Sequence, residues 1–466
     1  MKPLAVSTVA QAVHGRLNAA AEALSPESVV TGVQVDSRRI AAGDLFVATE
    51  GERVDGHDFA KAALKAGALV VLAQRDIPGI PCVLVPDSLA ALGSLASWYR
   101  RDVLTATIIG VTGSSGKTTT KDLIAQTLEG RVVAAHGSFN TEFGVPLTVL
   151  QADPDTEYLV LEMGMRGLGH IRYLADLADP DIAVVLNVGT AHAGMLDDVS
   201  DIARAKGELV EGLRSDSVAI LNADDPQVAA MVERTAARVL WFGEGPTNDV
   251  CALGVQLDSL GRAAFDLAVR GHEPHPVQLS MHGEHFVASA LAAAAVAFEC
   301  GMPVARIAER MSTAESRSPW RMEVRQTDTG VTVINDAYNA NPESMRAALK
   351  TLRSMDVPGR TWAVLGEMRE LGELAVSEHD AIGRLAVRLD ISRLVCIGPA
   401  TKVMHLAASN EGSWGEESIW VPDVDAAIEL LDEQLQPGDA VLVKASRAVG
   451  LEAVAAHLLH ESEALA

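Results

Sequence analysis

The stretch Gly110-Val111-Thr112-Gly113-Ser114-Ser115-Gly116-Lys117-Thr118-Thr119-Thr120 carries the residue types that bind phosphate. Small residues let backbone N–H groups point inward around a polyphosphate, the N-terminus of a following helix adds partial positive charge, and Lys117 supplies a full one. Thr118 is placed to ligate Mg²⁺ through its hydroxyl. The strict pattern G-x-x-x-x-G-K-[ST] wants glycine at 111, where this chain has Val111; its glycines fall at 110, 113 and 116. The alternative is a glycine turn that only joins a strand to a helix. Context argues against it. The β-branched run Thr105-Ala106-Thr107-Ile108-Ile109 reads as a buried strand before the turn, and Lys121 to Leu128 has helical spacing after it.

Three more residues could serve the same site. Glu162 closes the apolar run Tyr158-Leu159-Val160-Leu161, and an acidic side chain there can hold Mg²⁺ on a bound nucleotide; standing alone it would be a solvated carboxylate. His192 ends Asn187-Val188-Gly189-Thr190-Ala191-His192 after the next strand-like run. A site with two metals would need such a second ligand, although a lone histidine is more often structural. Lys206, in Ala203-Arg204-Ala205-Lys206-Gly207-Glu208-Leu209, lies on a helical stretch and by itself reads as a surface lysine.

The elements that must position these residues read as α/β throughout. With 466 residues, and about 150 per domain as a prior, some three domains are expected. Residues 1–104 form a small α/β unit of short strands and polar turns, with Asp36-Ser37-Arg38-Arg39 and Asp55-Gly56-His57-Asp58-Phe59 at loop tips. Such tips suit either a binding pocket or plain turn chemistry. Over 105–318, apolar runs ending in polar residues alternate with helices, which predicts a mainly parallel P-loop-type sheet covered on both faces. Ligands of such sheets bind beyond the carboxyl ends of the strands. Between 250 and 282 the pattern changes to short alternating runs, read as antiparallel strands inserted beside the main sheet, and a helix from His285 to Cys300 closes the domain. Residues 319–466 form a third, Rossmann-like α/β unit with strands near 331–335, 361–365, 394–397 and 440–443; the Ser318-Pro319 step is taken as the hinge.

Composition narrows the classes. Apolar residues make up 48% of the chain, yet no run reaches the roughly 18 residues of a membrane span. The nearest, Val287 to Phe298, is alanine-rich and short, and the N-terminus lacks a secretory apolar run. Cys82, Cys251, Cys300 and Cys396 are scattered singly, as in a reducing compartment, so a cytoplasmic protein, taken as monomeric, is expected. A net charge of −24 argues against a nucleic-acid surface, so any polyanion must be met by a local pocket.

Together these stretches resemble the Mur ligase family, the ATP-dependent amide ligases of bacterial cell-wall precursors, over nearly the whole chain. The resemblance rests on Thr112 to Thr119, Glu162-Met163-Gly164, Asn187 to His192 and Ala205-Lys206-Gly207-Glu208. Within the family, three stretches are similar to the branch that adds D-alanyl-D-alanine to UDP-N-acetylmuramoyl-tripeptide. They are Phe139-Asn140-Thr141-Glu142-Phe143-Gly144-Val145-Pro146-Leu147-Thr148, Asp336-Ala337-Tyr338-Asn339-Ala340-Asn341-Pro342-Glu343-Ser344-Met345 and Leu365-Gly366-Glu367-Met368-Arg369-Glu370-Leu371-Gly372. The Asp-Asn-Pro-Arg of the branch adding the third residue is absent.

The resemblance implies that 1–104 binds the UDP end of the substrate, 105–318 binds ATP, and 319–466 completes the ligase. It implies ATP contacts from Gly113, Ser114, Ser115, Gly116, Lys117, Thr118 and Thr119, with His285, Arg321, Asp336 and Tyr338 closing on the nucleotide. Ser37, Arg38, Asn140, Thr141, Asn339 and Asn341 would hold the other substrates, with Ser37, Arg38 and the loop through His57 at the UDP end. Lys117, Glu162, His192 and Lys206 would be catalytic. Two Mg²⁺ ions are implied, on Thr118, Glu162, His192 and a carbamylated Lys206. Two departures stand out. Phe286 and Ser289 replace asparagines of the family's Gly-x-His-Asn-x-x-Asn, and Ala445 replaces the glycine of its Lys-Gly-Ser-Arg.

Two other readings remain. A folate-extending ligase of the same superfamily would keep the ATP site but would not need the 36–59 unit or Tyr338-Asn339-Ala340-Asn341. A GTPase switch should carry Asn-Lys-x-Asp, and the chain has no Asn-Lys pair.

Overall fold

The computed structural model describes residues 1–51, 54–189, 199–412 and 417–460, whose strands form three large sheets and a two-stranded pair. The first large sheet has five strands in the order Arg16–Leu17, Cys82–Leu84, Val70–Ala73, Asp44–Val47 and Gly32–Gln34. Arg16–Leu17 pairs antiparallel and the rest are parallel. The helix Ser88–Asp102 leaves this unit and lays its buried face against the helices Gly144–Gln151 and His170–Ala178 of the next. Tyr99 fixes that contact: its buried hydroxyl donates to Ala152 O at 2.9 Å and accepts from Lys2 N at 2.6 Å.

The central sheet has nine strands. Its order is His275–His282, Arg262–Val269, Val250–Leu257, Arg238–Gly243, Val218–Asn222, Ile182–Val185, Thr107–Thr112, Tyr158–Glu162 and Val132–Ala134. From Val250–Leu257 to Val132–Ala134 all neighbours are parallel, and the buried β-branched residues of the inner strands Val218–Asn222, Ile182–Val185, Thr107–Thr112 and Tyr158–Glu162 suit strands covered on both faces. The antiparallel strands expected between 250 and 282 are present as an extension of this same sheet, since Phe242 and Gly243 pair with Val250 and Cys251.

The alanine-rich segment is the helix Phe286–Glu299, buried along its length against the helix Lys117–Thr127. Among the described residues no helix is long and apolar enough to cross a membrane. A further helix, Val304–Thr313, leads into the linker. Its Arg310 donates to the carbonyls of Gln126, Thr127 and Leu128, satisfying the carboxyl end of the helix Lys117–Thr127.

The third sheet has six strands in the order Glu323–Gln326, Thr332–Asn335, Ala440–Lys444, Thr361–Leu365, Arg393–Ile397 and Ser418–Val421. All neighbours are parallel except the first pair. Its two edge strands were not expected from the sequence. Each is short and half-exposed, so neither shows a buried apolar run. Around the expected hinge, Trp320 and Met322 adopt positive φ of 58° and 49°. The bend is held from the third unit, Tyr338 N donating to Trp320 O at 3.1 Å and Met322 N to Asp336 Oδ1 at 3.1 Å.

Candidate active site

The phosphate turn leaves the carboxyl end of Thr107–Thr112, between Tyr158–Glu162 and Ile182–Val185. The chain goes from this strand to one side of the sheet and later returns to the other, the switch point where open α/β sheets bind ligands. The register explains the misplaced glycine. Val111 is still strand, fully buried and paired with Glu162 and Val184, so the turn begins at Gly113. A Cβ on Gly113 would lie 2.9 Å from Leu186 Cβ, and Gly116 takes φ 77° as the cap of the helix Lys117–Thr127.

The tail of the neighbouring strand shapes the turn. Ser114 N and Ser115 N donate to Asn187 O and Asn187 Oδ1, at 3.1 and 2.9 Å, and Gly189 N donates to Ser114 Oγ at 2.8 Å. Lys117 Nζ donates to Gly113 O at 2.7 Å. Burial lowers the Lys117 pKa and the Arg321 charge adds to that, while Glu162 opposes it.

Glu162 is 1% exposed and joins two parts of the site. Oε2 accepts from Thr118 Oγ1 at 2.8 Å and Oε1 accepts from Asn140 Nδ2 at 2.7 Å. One carboxylate beside one hydroxyl at a phosphate turn is a hard-oxygen donor set, which fits Mg²⁺ shared with phosphate oxygens. Among the described residues no cluster of three or more His, Cys, Asp or Glu offers a metal cage elsewhere. His192 lies outside the described residues.

Lys206 is not the surface lysine its neighbours suggest. On the helix Val199–Glu211 it is 1% exposed, and among the described residues its only hydrogen-bond contact is Met165 Sδ at 4.0 Å. Burial, with the Lys117 charge adding, pushes its pKa well below the usual lysine value, which favours the neutral amine. The helix is tied to the amino end of the helix His170–Ala178 by Glu208, which accepts from Gly169 N at 2.6 Å and Arg172 N at 3.1 Å. The position of Lys206 was legible in a spacing: Ile202, Ala205, Lys206 and Leu209 share one helical face and are all buried.

The opposite wall comes from the third sheet, whose strand ends after Asn335, Lys444 and Leu365 face the turn. Lys444 Nζ is buried against Asp336 Oδ2 at 2.5 Å and donates to Asn339 O at 2.9 Å. Arg321 stacks over the Tyr338 ring at 4.2 Å, the Tyr338 hydroxyl meets Ser138 Oγ, and Asn341 Nδ2 donates to Ser114 O at 3.4 Å. His285 stands at the amino end of the helix Phe286–Glu299, exposed within the cleft, where it feels the charges of Asp336 and Lys444. The Phe286 ring centroid is 4.2 Å from that of His285.

These walls enclose a cleft of about 1140 Å³. Ser114 to Thr119, Glu162, Asn140, Thr141, His285, Arg321, Asp336, Tyr338, Asn339 and Asn341 all line it, together with Phe286, Ser289 and Ser446. Ser37 and Arg38 do not line it. They sit on a short turn where Arg38 pairs with Asp36 at 2.8 Å, while neighbouring Arg39 lines a cavity of about 180 Å³ with Gly32 to Gln34, Phe139 and Leu147. His57 is buried with both ring nitrogens engaged: Nδ1 donates to Asp55 Oδ1 at 2.6 Å and Nε2 accepts from Gln74 N at 3.0 Å. That makes it a latch within its own unit. The sequence assigns no role to Ser138 or Lys444; the signal for Ser138 is its place next to Phe139–Thr148, and for Lys444 its place at the head of Lys444-Ala445-Ser446-Arg447.

Residues 29–97 match the Mur ligase family catalytic domain, 111–297 the Mur ligase middle domain and 320–447 the Mur ligase glutamate ligase domain. A relative from Mycobacterium tuberculosis, UDP-N-acetylmuramoyl-tripeptide–D-alanyl-D-alanine ligase, is 47% identical over 98% of this chain and 97% of its own. This chain belongs to the Mur ligase family. A ligase of the same name from Bacillus subtilis is 35% identical over 97% of this chain and 98% of its own. Among solved Mur ligases, MurF from Acinetobacter baumannii superposes with a TM-score of 0.88 at 30% identity over 99% of both chains. MurF from Thermotoga maritima in complex with ADP gives 0.80 at 30% identity, over 92% of this chain and 97% of its own. The three-domain α/β architecture of this Mur ligase is that of the MurF structures.

Proposed function

We propose that this chain joins the amine of D-alanyl-D-alanine to the terminal carboxylate of UDP-N-acetylmuramoyl-tripeptide, driven by ATP, releasing ADP and phosphate and giving the pentapeptide precursor of peptidoglycan. The carrying observation is the hydrogen-bonded series Thr118–Glu162–Asn140, which connects the phosphate turn to the loop expected to hold the peptide. Full-length relatives bearing that ligase name support the assignment.

The reaction runs in two steps. A carboxylate oxygen of the tripeptide attacks the γ-phosphorus of ATP, the bond to ADP breaks, and an acyl phosphate forms. The amine then adds to the acyl carbon, the tetrahedral intermediate expels phosphate, and the amine proton is lost. Lys117 and the backbone amides of the turn neutralise and align the phosphates, so that positioning supplies most of the rate. His285, Arg321, Asp336 and Tyr338 hold the nucleotide from the far wall. Asn140, Thr141, Asn339 and Asn341 hold the peptide and dipeptide, with Ser37 and Arg38 at the UDP end. The shared cleft keeps water from the acyl phosphate.

One Mg²⁺ would be held by Thr118 and Glu162, and a second by His192 with a carbamate on Lys206; bound there, the metal supplies charge neutralisation of the phosphate oxygens. The carbamate forms when the neutral Lys206 amine adds to CO₂ and releases one proton. Because one chain supplies the walls of the cleft, we take the monomer as the working unit. We place the reaction in the cytoplasm, with its nucleotide substrates.

Phosphate release from ATP tests the assignment, with UDP-N-acetylmuramoyl-tripeptide supplied in its lysine and its diaminopimelate form, with and without D-alanyl-D-alanine. Release requiring both substrates is expected, and the preferred form names the third residue. No release with either form, from protein that binds ATP and Mg²⁺, would refute the ligase.

A further inference from the structure

Lys121 lies one helical turn beyond Lys117 and takes no part in the chemistry above. Its side chain is 2% exposed, and a buried ammonium persists only where its donors are met. All three N–H groups find partners: Ala135 O at 2.6 Å, Gly137 O at 3.0 Å and Asp122 Oδ1 at 2.8 Å. The two carbonyls belong to the segment that runs from the strand Val132–Ala134 into Ser138-Phe139-Asn140-Thr141. That segment carries Ser138, bonded to Tyr338 across the cleft, and Asn140, which donates to Glu162 and whose carbonyl accepts from Gly164 N at 2.8 Å.

Asp122 extends the same arrangement to the linker. Its second oxygen accepts from Ser318 Oγ at 2.6 Å. One turn further along, Gln126 donates to Glu315 O at 2.8 Å and accepts from Glu315 N at 3.1 Å. The helix that begins at the phosphate turn therefore fastens the peptide-binding loop on one side and the linker to the third domain on the other.

We infer that Lys121, with Asp122, is a positioning residue that sets the loop 135–141 and the linker 315–318 against the phosphate turn, so that the tripeptide carboxylate meets the γ-phosphate in register. Lys121 acts through Asn140 and Ser138, not by touching a substrate. A compact ammonium with three divergent donors suits the task. Methionine of similar length would fill the space but leave two buried carbonyls and a carboxylate oxygen unmet. The helix itself stays seated on Phe286–Glu299, so the loop moves and the phosphate turn does not.

The inference rests on the ligase reading, and the two fail separately. Phosphate release by the unaltered enzyme that needs both substrates secures the ligase; the inference is then read from variants alone. Lys121→Met is expected to raise the KM for UDP-N-acetylmuramoyl-tripeptide at least ~10-fold, the size of one lost buried hydrogen bond, with the KM for ATP within about twofold. Asp122→Asn keeps an acceptor for Ser318 while weakening the ion pair, and should raise the same KM about threefold. If Lys121→Met does not fold, Asp122→Asn decides. Equal rises in both KM values, or a fall in kcat with both unchanged, would overturn the inference, since a purely structural role would lower only the active fraction.

Discussion

Two lysines besides those of the phosphate-turn helix are buried near the site, Lys444 in the lining of the cleft and Lys206 on a helix behind it, and they are treated in opposite ways. Lys444, 2% exposed, is given Asp336 Oδ2 and Asn339 O. Lys206, 1% exposed, is given among the described residues a thioether at 4.0 Å and the repulsion of Lys117. A paired buried charge holds geometry, here the ends of Thr332–Asn335 and Ala440–Lys444. A buried lysine with no charged partner among the described residues is driven toward its neutral form, which has a nucleophilic lone pair. On the proposed carbamate, the contrast separates a lysine kept for shape from a lysine kept for reaction.

The largest effect expected from this contrast is on stability at Lys444. Lys444→Met strands the Asp336 carboxylate and should cost about 3–5 kcal/mol in denaturant unfolding, whereas adding Asp336→Asn should recover part of that loss. Two additive losses would break the comparison, because they would mean the pair is not coupled.

Lys206→Met should not lower stability and should cut turnover by about 100-fold or more, the usual scale for one lost charge-stabilising group. The unaltered enzyme should lose activity in bicarbonate-free buffer and regain it on bicarbonate addition. The sign with pH follows from the lowered pKa. As pH falls through it the amine protonates and takes up no CO₂, so bicarbonate rescue fails on the acid side. Without CO₂, the unfolded chain binds the extra proton between that lowered pKa and the ordinary 10.5, so stability rises with pH across this window. Lys206→Met should flatten that slope; an unchanged slope would mean Lys206 is charged when folded.

The smallest effect belongs to Met165→Leu, which keeps volume and should cost less than about 1.5 kcal/mol. Bicarbonate dependence should persist. Its loss would show that the sulfur, and not the apolar surroundings, sets the state of Lys206.

Much of the site was legible because it is local. The turn, Glu162 at a strand end and the Gly116-Lys117-Thr118 step are contiguous patterns with one backbone solution. The resemblance supplied Asp336, Tyr338 and Arg321, which no spacing would have joined to a turn some 200 residues earlier. The buried pair Lys444–Asp336 was out of reach for the same reason: its partners are 108 positions apart and meet only once the third sheet orders Ala440–Lys444 beside Thr332–Asn335. Edge strands Glu323–Gln326 and Ser418–Val421 were missed because an edge has one neighbour and half-exposed residues, which erases the alternation that betrays a strand. Val111 breaks the strict motif because that motif places its first turn glycine two residues before Gly113, where this chain is still strand.

The helix Phe286–Glu299 carries Ala290, Ala292, Ala293, Ala294, Ala295 and Ala297, each with no exposed surface. Methyl-only side chains let backbones approach closely and leave no rotamers to yield under load. The phosphate turn thus rests on a close-packed backing with no side-chain rotamers to rearrange, so movement that admits or releases a ligand is expected at the wall opposite.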